Sequence, residues 1–102
     1  MEGTGTYIWA DKRMFVGEWH KNKMHGKGVF TWDDGRRYEG EYVDDKKEGH
    51  GLFTWADGKK YDGQWKNGKQ HGKGMMIVLK EDGTEKARQG IWEEGRRKEW
   101  VE

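Results

Sequence analysis

The sequence repeats itself every 23 residues, and this period constrains the fold more than any other feature of the chain. Internal repetition at roughly 20 to 50 residues is typical of proteins that stack one structural unit in a row. Two glycine series and one aromatic series share the interval: Gly3, Gly26, Gly49 and Gly72; Gly5, Gly28, Gly51 and Gly74; and Trp9, Trp32 and Trp55, with Val78 in the fourth place.

The copies divide the chain into one array that occupies residues 1–102. The expected boundaries are a partial first copy at 3–25, full copies at 26–48 and 49–71, a stretched last copy at 72–98, and a tail at 99–102. The last copy is stretched because Gly90 and Trp92 follow Gly63 and Trp65 by 27 residues. The four additional residues fall within LKEDGTEKARQG.

Within each copy, glycines and large aromatic residues alternate with polar ones, which indicates half-buried β-strands. Asp34-Gly35 and Asp57-Gly58 mark one set of turns, and the charged stretches HKNKMH, VDDKKE and KNGKQH mark a second, longer set. The pattern predicts a meander of short antiparallel strands, two per repeat. Pairing through HKNKMH would place Gly26, Gly28, Phe30 and Trp32 on one face, with Phe15 opposite Phe30, Gly17 opposite Gly28, and Trp19 opposite Gly26.

Composition explains why aromatic residues carry the core. Leu, Ile, Val and Phe together number 13, yet the chain has seven Trp and four Tyr, and its 20 Lys and Arg nearly balance 19 Asp and Glu. Disordered chains usually lack such aromatics and such charge balance. Glycine alone weakens a strand. We therefore interpret the paired glycines as sockets that let aromatic rings lie across neighbouring backbone.

The repeating unit resembles the MORN repeat, Y-x-G-x-W-x-x-G-x-x-x-G-x-G-x-x-x-x-x-D-G. The stretches YEGEYVDDKKEGHGLFTWADG and YDGQWKNGKQHGKGMMIVLKEDG carry it, as does FVGEWHKNKMHGKGVFTWDDG with Phe15 in place of Tyr. The resemblance implies an all-β fold, an elongated, single-layer, twisted antiparallel β-meander of hairpin repeats. It also implies scaffolding, protein binding and membrane association. The departures are Lys12, Asn22, Asp45 and Arg88.

A single layer has no second sheet to cover its rings, so part of the aromatic face is expected to stay exposed. Exposed apolar strips usually mark contact sites, and Tyr and Trp are common interface anchors. The leading hypothesis is a groove that binds a partner peptide or protein, against the alternative that the same rings are entirely core. Its candidate residues are Trp9, Trp32, Tyr38, Trp55, Tyr61 and Trp65.

Binding of anionic phospholipids is the competing hypothesis. Six lysines lie in the longer turns and would line one edge of a meander, although Asp44, Asp45 and Glu48 interrupt them. Lysines near an anionic surface contribute roughly 1 kcal/mol each. Solvated turn charge is the simpler interpretation. The lysines are Lys21, Lys23, Lys46, Lys47, Lys66 and Lys69.

Catalysis and metal binding find little support in the sequence. There is no Cys and no Ser, and His20, His25, His50 and His71 lack metal-ligand spacing. We expect no enzymatic activity, no metal and no cofactor.

A net charge of +1 and rings that face glycines argue against nucleic-acid binding. No apolar run reaches the length of a membrane-spanning helix and no signal peptide is evident. We expect a soluble intracellular protein, and the resemblance implies a site at the cytoskeleton or cell cortex.

Two expectations concern the ends of the array. The chain opens in mid-repeat, which suggests an array taken from a longer protein, and its first strand would offer unpaired backbone groups for an end-to-end dimer. Charged residues such as Glu2 and Lys12 oppose that pairing. Trp100 lies outside the repeat and is expected to cap the last copy.

Overall fold

The computed structural model describes residues 2–101, and these residues form a single antiparallel sheet of nine strands. The strands follow one another across the sheet in chain order, and the described chain measures 43 × 28 × 18 Å. No helix in this part of the chain is long and apolar enough to cross a membrane. The predicted all-β, single-layer meander is confirmed. The strands are β1 (Gly3–Ile8), β2 (Met14–His20), β3 (Lys23–Thr31), β4 (Arg37–Val43), β5 (Lys46–Thr54), β6 (Lys60–Lys66), β7 (Lys69–Leu79), β8 (Glu85–Glu93) and β9 (Arg96–Val101).

The Asp-Gly turns lie along one edge of the sheet and are held by local hydrogen bonds. In the turn at 32–36, the Asp34 carboxylate accepts a hydrogen bond from the Arg36 N–H at 3.1 Å, and the Trp32 N–H donates to the Arg36 carbonyl at 3.0 Å. Gly35 has φ of 101°, as predicted for a turn glycine. Equivalent carboxylate bonds recur at Asp11, Asp57 and Asp82.

The turns at the opposite ends of the strands are shorter than predicted, and we call this side of the sheet the tight-turn edge. Only two residues separate the strands in each, and both have positive φ, which is the conformation of a tight type I′ hairpin turn. Asn22 and Asp45 adopt this conformation without being glycine, which accounts for two departures from the repeat. The four pairs are Lys21-Asn22, Asp44-Asp45, Asn67-Gly68 and Glu94-Gly95.

A β-bulge after each of the first three tight turns corrects the predicted pairing of Trp19 with Gly26. Trp19 pairs with Met24, and the register then shifts so that Gly17 meets Gly28. Gly26 lies in the bulge with φ of 74°, and a Cβ there would lie 2.5 Å from the Glu18 carboxylate on the opposite face from the rings. Gly26 therefore does not share a face with Phe30. The Glu18 carboxylate accepts a hydrogen bond from the Lys27 N–H, and Glu41 does the same for His50.

The four additional residues of the last copy lengthen two strands and leave the turn unchanged. β7 has 11 residues and β8 has nine, against nine and seven for β5 and β6. Lys80, and not Val78, occupies the turn position of Trp32, since its N–H donates to the Thr84 carbonyl at 2.7 Å. Residues 99–101, predicted as a tail, belong to β9, and residue 102 lies outside the described chain.

The centre of the sheet is an unbroken row of glycines, one from each of the first eight strands. Large rings lie on this row: Phe15, Tyr38 and Tyr61 are fully buried. A Cβ on Gly51 would lie 2.5 Å from Cε1 and Cζ of Tyr38, so the ring occupies the space that any other residue would fill. This confirms that the glycines are sockets. The row is Gly5, Gly17, Gly28, Gly40, Gly51, Gly63, Gly74 and Gly90.

Substitution of Gly51 by Ala should destabilise the protein by about 2–3 kcal/mol, because the added methyl group would lie 2.5 Å from ring atoms of the buried Tyr38 and must displace them. Gly68→Ala is the matched control. Gly68 has positive φ but nothing within 4 Å of where the methyl group would lie, so its cost should be only about 1 kcal/mol of backbone strain. Chemical unfolding followed by tryptophan fluorescence measures both. Equal losses would contradict this packing of rings on glycines.

Candidate functional site

All the large rings project from one face of the sheet, the aromatic face, where they form two rows. The core aromatic row follows the glycines as a chain of edge-to-face contacts between ring centres 4.8–6.1 Å apart. Edge-to-face pairs are a preferred geometry of aromatic rings. This row consists of Trp19, Phe15, Tyr42, Tyr38, Trp65, Tyr61, Trp92 and Trp100.

Four rings of the core aromatic row donate hydrogen bonds to the backbone. The Trp19 and Trp65 indoles donate to the carbonyls of Gly5 and Gly51 at 3.0 and 3.1 Å. The Tyr38 and Tyr61 hydroxyls donate to the carbonyls of Glu41 and Gln64. These bonds fix the orientation of the four rings.

The rim aromatic row lies beside the Asp-Gly turns. Its tyrosine and tryptophans are partly exposed, whereas Phe30 and Phe53 between them are buried. Its ring centres are 4.5–5.5 Å apart, and the row is continuous over three copies. Tyr7, at one end, is 46% exposed. The row consists of Tyr7, Trp9, Phe30, Trp32, Phe53 and Trp55.

Each rim tryptophan carries a cation over its ring. The Arg13 and Arg36 guanidinium carbons lie 5.4 and 5.1 Å from the ring centres of Trp9 and Trp32, and the Lys59 Nζ lies 4.9 Å from that of Trp55. Such contacts are attractive because the ring face is electronegative. These three cations were not predicted, although they recur at the 23-residue interval, and that interval could have identified them.

The structure narrows the predicted groove. Tyr38 and Tyr61 are fully buried and Trp65 is 8% exposed, so these rings belong to the core aromatic row and leave no surface for a partner. They are buried because they lie directly over or beside the glycines. Trp9, Trp32 and Trp55 are half-buried in the rim aromatic row and stay candidates for binding.

Lys47 is separated from the other predicted lipid-binding lysines. Its Nζ lies 5.3–5.8 Å from the ring centres of Trp32, Tyr38, Phe53 and Trp65, on the aromatic face. Burial, with a smaller contribution from the charge of Arg36, lowers the pKa of Lys47 below its ordinary value. A lysine enclosed by rings is not placed to contact a membrane at the sheet edge, so we remove it from that set.

The remaining five lysines, Lys21, Lys23, Lys46, Lys66 and Lys69, are exposed at the tight-turn edge. Carboxylates that interrupt them hold neighbouring turns together. The Asp45 carboxylate accepts a hydrogen bond from the Met24 N–H at 2.7 Å, and Glu48 accepts one from the Asn67 N–H at 2.8 Å. The acidic residues at this edge thus have a structural role within the array.

The histidines do not assemble into a metal site. His20 and His25 lie with their ring centres 5.6 Å apart, and the His50 Nε2 lies 2.8 Å from the Asp62 carboxylate. Within residues 2–101 there is no group of three or more His, Asp or Glu side chains placed to hold a metal ion. Nothing in this part of the chain indicates which residues could hold a cofactor.

Burial raises the pKa values of Tyr38, Tyr42 and Tyr61 above the ordinary value of about 10, that of Tyr61 to about 12. A raised pKa in the folded state means that stability is fully present below pH 10 and is lost as the pH rises through 12. Unfolding free energies measured with guanidinium from pH 7 to 12 should fall above pH 10. Tyr61→Phe should make this fall less steep, while the lost hydroxyl costs about 0.5–1.5 kcal/mol at pH 7. Superimposable pH profiles would refute this role for Tyr61.

Comparison with known proteins agrees with this repeating architecture. A search of curated proteins found no match. The MORN repeat, in contrast, matches the chain in four segments, at residues 1–12, 15–36, 38–60 and 61–77. MORN repeats are generally protein- or membrane-interaction modules, and the family is a non-enzymatic one. Because the matched segments cover more than half of the chain, the protein belongs to the MORN repeat family.

Proposed function

We propose that this chain is a non-catalytic scaffold that binds a segment of a partner protein along its rim aromatic row. The observation that carries the proposal is the repetition of one half-buried tryptophan with one cation in three successive copies. The repetition gives a partner several similar contact points in a line. An extended segment that runs across the strands would meet Trp9, Trp32 and Trp55 in turn.

The physical chemistry of the row favours protein binding. Tryptophan and arginine are the residues most enriched in binding hot spots. The rings are already fixed by their neighbours at 4.5–5.5 Å, so little side-chain entropy remains to be lost on binding. Arg13 and Arg36 are ion-paired with Asp11 and Asp34 at 2.7 and 2.9 Å, which holds their guanidinium groups over the rings. Their remaining N–H groups can donate to carbonyl groups of the partner.

Association with anionic phospholipid is the alternative function. It is supported by five exposed lysines along the tight-turn edge. Lys69 has its Nζ 3.8 Å from the Glu94 carboxylate, and Asp44 and Asp45 lie in the same edge, so the positive charge there is partly offset. We therefore favour protein binding over lipid binding, and vesicle sedimentation tests the lipid alternative.

A location at the cytoskeleton or cell cortex is part of this proposal and rests on the resemblance to the family alone. An end-to-end dimer is also part of it. β1 and β9 are edge strands whose outer backbone groups have no neighbouring strand within the described chain. A second copy could pair with either edge.

Affinity capture from cell extract with the purified chain, followed by mass spectrometry, tests the proposal. Trp32→Ala and Trp55→Ala should each reduce recovery of a specific partner on the order of tenfold, since a hot-spot tryptophan is worth at least about 1–2 kcal/mol. Near-ultraviolet circular dichroism verifies that the variants stay folded. The matched control is Leu52→Ala, because Leu52 lies on the opposite face of β5.

Sedimentation with phosphatidylserine or phosphoinositide vesicles distinguishes the two functions. Pelleting that disappears in a Lys21→Glu, Lys46→Glu and Lys66→Glu triple variant but not in the tryptophan variants would support the lipid alternative. Partners captured equally by the wild type and both tryptophan variants would overturn binding through the rim aromatic row.

A further inference from the structure

A cavity of about 410 Å³ lies on the aromatic face beside the last hairpin, beyond the end of the rim aromatic row. We call it the last-hairpin cavity. Its apolar lining comes from strands β7, β8 and β9, with Val78 36% exposed. The complete lining is Lys59, Met76, Val78, Lys86, Arg88, Trp92, Arg97 and Trp100.

The cavity exists because the last copy departs from the repeat at several positions that face one another. Met76 pairs with Arg88, whereas the corresponding pairs in the earlier copies are Phe30 with Tyr38 and Phe53 with Tyr61. Smaller or longer flexible side chains thus replace two large rings. The match to the MORN repeat ends at residue 77, within this region.

The lengthened strands supply a wall of the cavity. β7 and β8 each extend two residues further than their counterparts, and Val78 pairs with Lys86 in the extension. Neither residue has an equivalent in the regular copies. The four additional residues and the replacement of two rings therefore both shape the last-hairpin cavity, although they lie apart in the sequence.

All charged side chains among the described residues of the lining are positive. Four of its eight side chains are cations, and no carboxylate is among the described residues that line it. Arg88 and Arg97 place their guanidinium carbons 4.2 and 4.3 Å from the ring centre of Trp100, so this ring contacts both cations. Lys59, which lines the cavity, also makes a cation–π contact with Trp55, so the cavity adjoins the rim aromatic row.

We propose that the last-hairpin cavity binds an acidic segment of the partner protein, in which carboxylates alternate with apolar side chains. The inference rests on the proposed function and names the chemistry of the partner. Successive side chains of an extended segment point in opposite directions. In a segment that lies edge-on in the cavity, apolar groups can therefore pack on Met76 and Val78 of β7, while carboxylates on its other side meet Lys86 of β8 and Arg97 of β9. The volume falls within the usual range of ligand pockets, roughly 300–1,000 Å³.

A peptide fits this surface better than a lipid membrane does. The apolar floor lies within a cavity on the face of the sheet, where a narrow extended chain can enter. The exposed turn lysines lie at the tight-turn edge, whereas Val78 and Lys86 lie in the extension next to the Asp-Gly turns. A flat bilayer that contacted the lysine row would thus not reach this part of the cavity.

Titration with an eight-residue peptide of alternating Asp and Leu tests the inference on the full chain. Indole N–H signals in two-dimensional NMR report binding, and those of Trp92 and Trp100 should shift in a saturable way. The signal of Trp19, at the other end of the core aromatic row, should not move. Peptides with Asn or Lys in place of Asp should bind on the order of tenfold more weakly, because the charge pairing is lost or reversed.

Two charge reversals locate the site. Arg97→Glu and Lys86→Glu should each weaken binding of the Asp-Leu peptide about tenfold or more. Lys86 makes no ring contact among those found in residues 2–101, so its variant tests charge without disturbing a cation–π pair. Lys73→Glu is the matched control, since Lys73 is exposed on the opposite face of β7 and pairs with Ile91. It should bind as the wild type does.

Three outcomes would overturn the inference. They are no shift of Trp92 or Trp100 at roughly millimolar peptide, equal binding of the Asp and Asn peptides, and equal loss in Lys73→Glu. Phosphoinositide vesicles that perturb Trp92 and Trp100 when the peptide does not would assign the cavity to a membrane instead. If capture of a partner still depends on Trp32 and Trp55 while the peptide fails, the proposed function stands and only the acidic segment is wrong.

Discussion

The contact between aromatic rings and bare backbone is the interaction on which the rest of this structure depends. A sheet of one layer has no second sheet or helix to cover it, so its core must be built on its own face. The glycine row makes this possible because it lets Phe15, Tyr38 and Tyr61 lie against the strands themselves. Each ring that settles there also fixes the strand register, since a shift of one residue would move the socket to the opposite face.

Much of this architecture could be predicted because the repeat and the alternation act together. The pairing of Phe15 with Phe30 and of Gly17 with Gly28 followed from the alternation with a period of two, once the hairpin turn was placed within HKNKMH. The pairing of Trp19 was wrong for a specific reason. A carboxylate, Glu18, bonds the backbone of a two-residue bulge, and single-sequence alternation carries no sign of that bulge except Gly26. The tight turn was hidden in the same way, because Asp44 and Asp45 adopt positive φ without being glycine.

Predicting the candidate site was harder than predicting the sheet. Alternation places Tyr38 and Trp32 on the same face, but it does not tell which ring lies over the glycines and which lies at the rim. That distinction depends on the pairing across strands, which puts Gly51 under Tyr38 and leaves Trp32 beside a turn. The rim cations were predictable in principle, since Arg13, Arg36 and Lys59 recur at the repeat interval. The position of Lys47 was not, because Met24 and Gln70 replace it in the adjacent copies.

The position held by Met24, Lys47, Gln70 and Arg97 shows how a regular backbone carries varied chemistry. Each of these residues pairs with a core ring, namely Trp19, Tyr42, Trp65 or Trp92. Because the glycines and rings maintain the sheet, its stability does not depend on which residue occupies this position. The residue can therefore differ in each copy. Lys47 is enclosed by four rings, while Arg97 faces the last-hairpin cavity, where the neighbouring rings have been replaced. Under the proposal made above, binding specificity would arise where the repeat is broken, while the glycines and rings of the regular copies maintain the sheet around the site.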